Sequence, residues 1–266
     1  MTQNYLSLIK AAIIDMDGVL WRADQPLGNL EYIFNQIENL GWSLTLATNN
    51  STNTVNQYLE KLLSYGVHLE SYQIITSALA AASYLKRRYP NGGKVFVVGE
   101  PSLSKTLGEK GFVHDDNEAI AVIAGMDRTL TFDKLAKATI RIREGAEFIA
   151  TNADRTFPMP YGLVPGAGAI IAALETASDI SPVVVGKPSS FMYQVAMERM
   201  SCSPSQTIVI GDRLETDIAG GQELNCHTAL VLSGVTSEET AKDWNPPPDL
   251  ITSDLTQLLE LFAEHR

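Results

Sequence analysis

Two aspartates one residue apart, Asp15 and Asp17 in Asp15-Met16-Asp17-Gly18, close the apolar run Ala11 to Ile14. A two-residue step on a strand puts both carboxylates on one side before the chain turns at Gly18. Like charges held that way call for a cation. An Asp-Gly turn with solvated carboxylates gives the same string, so the pair gains meaning only from its company. A second acidic set, Asp212 and Asp217 in Gly211-Asp212-Arg213-Leu214-Glu215-Thr216-Asp217-Ile218, follows the run Ile208 to Ile210. Carboxylate oxygens suit hard cations, and Mg²⁺ takes one or two carboxylates beside water and substrate phosphate. Asp15 and Asp212 would suffice for it. Asp217 then either supports them from behind or serves as a first-turn acid that meets a helix dipole.

Two further clusters suit an anion. Thr48-Asn49-Asn50-Ser51 ends the run Ser43 to Ala47 and precedes a helical pattern containing Val55, offering a hydroxyl, amides and helix N-terminal N–H groups to a phosphate. Asn50 or Ser51 could equally be an ordinary helix cap. Gly186-Lys187-Pro188 follows the run Val183 to Val185 and presents a compact positive charge, or else a solvated lysine ahead of a helix capped by Ser189 or Ser190. No GxxxxGK(S/T) pattern surrounds Lys187 to make a nucleotide P-loop, and Gly166-Ala167-Gly168 is not a GxGxxG dinucleotide fingerprint after a strand.

The elements that must position these groups follow from the periodicity. Eight short apolar runs, the four already given together with Val95 to Val98, Ile120 to Ala124, Phe148 to Ala150 and Ala229 to Leu232, read as buried parallel strands. Amphipathic helices lie between them, as with Leu30, Ile33, Phe34, Ile37 and Leu40. This alternation predicts an α/β fold: a Rossmann-like parallel-sheet core with helices on both faces, carrying an inserted α/β domain. Asp15, Thr48, Lys187 and Asp212 each directly follow a strand, and ligands of such sheets bind at the carboxyl ends of strands, so the four should converge. Between Leu79 and Pro182 the chain holds three predicted strands and none of those clusters. The expected division is therefore a core of residues 1–81 and 183–266 with an insertion at 82–182.

Bulk properties narrow the class. The chain of 266 residues carries 20 basic and 31 acidic side chains, a formal charge of -11 that opposes nucleic acid and anionic membrane surfaces. A phosphate site in such a chain needs a metal ion or local cations. Cys202 and Cys226 form no ligand pair by spacing, Met1 to Lys10 is polar, and no segment approaches a membrane span, which together predict a cytoplasmic protein. His68, His114, His227 and His265 share no ligand spacing.

In order and context, Asp15-Met16-Asp17-Gly18, Thr48-Asn49-Asn50, Gly186-Lys187-Pro188 and Gly211-Asp212-Arg213 with Thr216-Asp217 resemble the four motifs of the haloacid dehalogenase superfamily. The resemblance spans essentially the whole chain and is to the subclass IIA phosphatases, whose cap domain lies between motifs two and three. Ala150-Thr151-Asn152-Ala153-Asp154 and Gly162-Leu163-Val164-Pro165-Gly166-Ala167-Gly168-Ala169 look like cap segments of that subclass, with Ala153 where many members carry proline.

The resemblance implies a Mg²⁺-dependent phosphatase of small-molecule phosphate monoesters. Asp15 would be the nucleophile, forming an aspartyl-phosphate, and Asp17 the general acid and then base. Thr48, Asn49, Asn50 and Lys187 would bind the phosphoryl group, and Asp15, the Asp17 carbonyl and Asp212 the metal, with Asp217 behind them. Asn152 and Asp154 would face the substrate from the cap, where Asp127 and Arg128 also follow predicted strands, and a homodimer would form through the cap. A sugar phosphomutase would share the first step. A phospho-accepting receiver module uses similar residues without a cap of this size.

Overall fold

The computed structural model describes residues 6–159 and 162–265. The part of the polar N-terminal stretch before Leu6 lies outside them. The first leg of the chain runs β1 (Ala11–Ile14), β2 (Trp21–Arg22), β3 (Gln25–Pro26), α1 (Leu30–Asn39), β4 (Ser43–Thr48), α2 (Val55–Ser64) and β5 (Ile74–Thr76). The middle leg runs α3 (Ser77–Arg88), β6 (Gly93–Val98), α4 (Pro101–Gly108), β7 (Phe112–His114), β8 (Ala121–Ala124), α5 (Phe132–Arg143), β9 (Glu147–Ala150), β10 (Thr156–Met159), β11 (Gly162–Pro165), α6 (Ala167–Ser178) and β12 (Val183–Val184). The last runs α7 (Ser190–Met200), β13 (Thr207–Gly211), a π-helical turn (Leu214–Ile218), α8 (Ala219–Glu223), β14 (His227–Val231), α9 (Glu238–Lys242), β15 (Leu250–Thr252) and α10 (Leu255–Glu264).

These elements form two compact units. The first comprises Met1–Thr48, Val55–Ile75 and Lys187–Arg266; the second comprises Asn49–Thr54 and Thr76–Gly186. The division falls a few residues from the sequence boundaries, since Thr76 to Ala81 and Val183 to Gly186 belong with the second unit, as does the short segment after β4.

The first unit is built on a six-stranded sheet in the order β15-β14-β13-β1-β4-β5, parallel throughout its central pairs. Side chains alternate across a strand, so Ala12, Ile14, Leu44, Leu46, Ile208 and Ile210 share one face. They pack with Leu30, Ile33 and Ile37 of α1 and Leu255, Leu258, Leu259 and Phe262 of α10 into one apolar cluster. Asn29 starts α1 by accepting the Tyr32 N–H, and Asp254 does the same for α10 with Gln257. The opposite face carries Ile13, Thr45 and Val209, covered by α7, which packs on β1 and β4, and by α8, whose Gly221 lies against Val209.

The second unit holds a five-stranded parallel sheet, β12-β9-β8-β6-β7, and a separate antiparallel hairpin, β10-β11. Phe96, Val98, Val122, Ala124, Phe148 and Ala150 pack against Ala138 and Ile142 of α5 and Ala167, Ile170, Ile171 and Leu174 of α6. All eight apolar runs are strands, but the middle leg contains more strands than the three expected. The additional ones are β7 and the β10-β11 hairpin, too short or too exposed to give a continuous apolar run. The larger correction concerns Val183 to Val185: its strand β12 pairs with β9 in the second unit's sheet, not in the sheet that carries Asp15.

Candidate active site

Three strands of the first unit's sheet end together. Parallel pairing aligns Ile14 with Ile210 on one side and with Leu46 on the other, so the residues that follow emerge at the same end of the sheet. The Asp15 N–H donates to the Ile210 carbonyl at 2.9 Å, carrying the ladder one residue past β1. Thr48 is the last residue of β4 and Asp212 the first after β13. All three are buried.

Lys187 reaches this place by another route. It begins the third segment of the first unit, ahead of α7, whose start is capped by the Ser189 hydroxyl. Its Nζ lies 2.5 Å from Asp15 Oδ1 and 2.7 Å from Asp217 Oδ1. Asp217 stands in the π-helical turn after β13, and its other oxygen accepts the Arg213 N–H at 3.2 Å. Tyr193 of α7 donates its hydroxyl to the Thr216 carbonyl at 2.9 Å, tying that turn to the helix.

Oxygens of Asp15, Asp212 and Asp217 lie within 4.8 Å of one another, and among the described residues these three form the one acidic group arranged to hold a metal. The two oxygens of Asp212 stand in unlike environments. Asp212 Oδ2 accepts the Val235 N–H at 2.7 Å, whereas its Oδ1 is buried without a hydrogen-bond partner. Two glycines permit the approach: a Cβ on Gly234 or on Gly18, which also has φ +87°, would overlap the Asp212 carboxylate. Ser233 then donates to the Gly18 carbonyl at 2.7 Å, and Arg22 donates to the Ser233 carbonyl at 2.9 Å.

Three buried carboxylates against one buried ammonium leave surplus negative charge. Burial, reinforced by Asp217, Asp212 and Asp17 and opposed by Lys187, pushes the Asp15 carboxyl well above its usual range. Burial and Asp217 lift Asp212 to about 6 against the pull of the Val235 N–H. Burial also works against the Lys187 ammonium, but Asp15 and Asp217 outweigh it and hold the group protonated. A pocket in this condition takes up either a proton or a cation. Its hard oxygen donors and the bare Asp212 Oδ1 fit a small divalent ion.

Asp17, two residues beyond Asp15, is exposed, and its Oδ1 accepts the indole N–H of Trp21 at 3.0 Å. Of the sequence candidates, Asp15, Lys187, Asp212 and Asp217 meet directly, and Thr48 ends the neighbouring strand. Asn49, Asn50, Asn152 and Asp154 belong to the second unit instead. There Asn49 Nδ2 donates to both Asp154 oxygens at 3.2 and 3.3 Å, and Asn152 Nδ2 donates to the Asn49 carbonyl at 2.8 Å. Asn50 caps no helix: its side-chain oxygen accepts from the Thr52 N–H and hydroxyl at 2.8 and 2.7 Å, closing a local turn before α2. Asp127 and Arg128 are engaged as well, the first with Lys134 at 2.6 Å and the second with Glu100 at 2.8 Å. Trp21, Tyr193 and the Ser233 to Val235 loop also shape the site, and no motif or spacing in the sequence marks them.

Comparison with known proteins agrees with this architecture. A profile of the haloacid dehalogenase-like hydrolases matches residues 12–113, and one described as HAD-hydrolase-like matches 184–258. The acid sugar phosphatase of Staphylococcus saprophyticus is 31% identical over 252 residues, covering 94% of this chain and 97% of that protein. Among solved structures, a p-nitrophenyl phosphatase from Archaeoglobus fulgidus superposes with a TM-score of 0.91 at 33% identity, over 95% of this chain and 99% of that one. NagD from E. coli K-12 gives 0.87 at 33%, over 94% and 98%. The chain belongs to the haloacid dehalogenase-like hydrolases, in the branch of the subclass IIA phosphatases. It is an enzyme of the phosphoric monoester hydrolase class.

Proposed function

We propose that the chain hydrolyses small-molecule phosphate monoesters, with sugar phosphates the leading class, through an aspartyl-phosphate on Asp15 and with Mg²⁺ as cofactor. One observation carries the reading: a buried Asp15 beside Lys187 and beside an Asp212 whose Oδ1 lacks a partner. The substrate class is supported by the acid sugar phosphatases among the relatives.

Asp15 and Asp212 would hold the ion with the Asp17 carbonyl. Both oxygens of Asp217 have partners in Lys187 and the Arg213 N–H, which supports a backing role for it. When bound, the ion would supply positive charge that offsets the negative charge of nucleophile and phosphate. The remaining work falls to the protein. An Asp15 oxygen attacks phosphorus, the bond to the leaving oxygen breaks, and Asp17 gives that oxygen a proton. Water then attacks phosphorus, gives a proton to Asp17, and releases inorganic phosphate from Asp15. Thr48 and Lys187 would bind the phosphoryl oxygens.

The second unit would serve as the cap that selects the leaving group, with Asn49, Asn152 and Asp154 holding its Asn49–Thr54 segment in shape. A homodimer through this cap and a cytoplasmic setting complete the proposal. No helix among the described residues is long and apolar enough to cross a membrane.

The test is Asp15→Asn with Mg²⁺ and p-nitrophenyl phosphate. Phosphate release should vanish while circular dichroism stays native, and acid-quenched wild type should carry a phosphoryl group on the Asp15 peptide. Near-normal release by the variant would overturn the assignment.

A further inference from the structure

A carboxylate on an exposed turn ordinarily samples several rotamers, and Asp17 sits on such a turn, immediately before Gly18 with φ +87°. A group that must give and take a proton gains from being held in one orientation. Asp17 has a device for this within the first unit. Trp21 Nε1 donates to its Oδ1 at 3.0 Å, and the Gly18 N–H donates to the Trp21 carbonyl at 2.7 Å.

The indole itself cannot swing. It is 1% exposed, stacked on Tyr58 at 6.4 Å between centroids and 11° between planes, with the Lys61 ammonium 4.4 Å from the ring centroid. Lys61 also donates to the Ala23 carbonyl at 2.8 Å, and the Tyr65 hydroxyl donates to the Asp24 carbonyl at 2.9 Å. Both therefore tie the tip of the β2-β3 hairpin to α2 and its end. A buried indole N–H needs an acceptor, and here an exposed carboxylate, not a nearby carbonyl, supplies it.

We infer that Trp21 is a positioning residue for Asp17: by occupying Oδ1 it fixes the side chain and leaves Oδ2 as the oxygen that exchanges the proton. This rests on the general acid and base reading of Asp17. In the first step the Oδ2 proton passes to the leaving oxygen as its bond to phosphorus breaks. In the second, Oδ2 takes a proton from the attacking water as the Asp15 oxygen–phosphorus bond breaks, which returns Asp17 to its starting state.

Trp21→Phe keeps the ring and removes the donor. The readout is leaving-group dependence of kcat/KM in Mg²⁺, because p-nitrophenolate departs without a proton and phenolate needs one. Phenyl phosphate should lose about tenfold while p-nitrophenyl phosphate changes less than about twofold. No loss on either substrate, or equal loss on both, would overturn the inference. In an Asp17→Asn background, Trp21→Phe should add nothing. Should Asp17→Asn itself keep the wild-type leaving-group dependence, the general acid reading fails instead. Where Trp21→Phe does not fold, the indole proton gives the answer with Trp21 in place. Asp17→Ala should shift the Trp21 Nε1–H resonance and speed its exchange, leaving those of Trp42 and Trp244 in place; an unmoved Trp21 signal sinks the proposal.

Discussion

Lys187 and Asp15, 172 positions apart in sequence, meet at 2.5 Å with both side chains buried. The ammonium also holds Asp217, so a single cation offsets part of the charge of a three-carboxylate pocket. The chemistry and the stability of the site both turn on that balance.

Lys187→Met should therefore cost more than activity. Removing one partner of a buried pair leaves uncompensated charge, a loss of about 3–5 kcal/mol. Urea unfolding at neutral pH measures it, and saturating Mg²⁺ should return part of the loss. Phosphatase turnover should fall at least about a hundredfold in the same variant.

Asp212→Asn should do the reverse to stability. Burial and the neighbouring Asp217 raise the folded Asp212 carboxyl from its ordinary 3.8 to about 6, so the folded state binds more protons between those limits. Stability of the metal-free enzyme is then fully present below the unfolded pKa and falls as pH rises through about 6, by about 3 kcal/mol from this group, with Asp15 adding in the same direction. Thermal unfolding in chelator from pH 4 to 8 should show the decline in the wild type and a flatter profile in the variant. Mg²⁺ should stabilise the wild type at pH 7 and leave the variant unmoved.

Asp154→Ala removes the acceptor of the Asn49 side chain. Hydrogen exchange should quicken across Asn49–Thr54, and KM for p-nitrophenyl phosphate should rise severalfold with little change in Tm. Unchanged exchange would show that the segment holds without Asp154, through contacts such as those of Asn152 and Ser77, which donate to the Asn49 carbonyl at 2.8 and 2.6 Å.

Burial pushes the Cys226 thiol up to about 12, beside Met197. Iodoacetamide should modify the partly exposed Cys202 in native protein and reach Cys226 only after unfolding, as read by peptide mass spectrometry.

The apolar runs were legible because buried parallel strands need continuous Val, Ile and Leu, and the acids that end β1 and β13 were legible through motif and order. Edge strands were not: β5, β7 and β15 span three residues each, and two of them carry exposed positions. The expectation that Lys187 ends a strand of the same sheet as Asp15 failed for a related reason, since a run of valines does not say which sheet it joins. Pairings such as Asn49 with Asp154, 105 positions apart, leave no trace in local pattern. The Asp17–Trp21 hydrogen bond is local, yet apolar periodicity reads Trp21 only as core.

The backbone passes between the two units at Thr48/Asn49, Thr54/Val55, Ile75/Thr76 and Gly186/Lys187. A chimaera that transplants Thr76–Gly186 from a homologue as one cassette would sever Asn49 and Ser51 from their native partners Asp154, Asn152, Ser77 and Ser102. A transplant that keeps the second unit intact must carry the short loop together with the long insert.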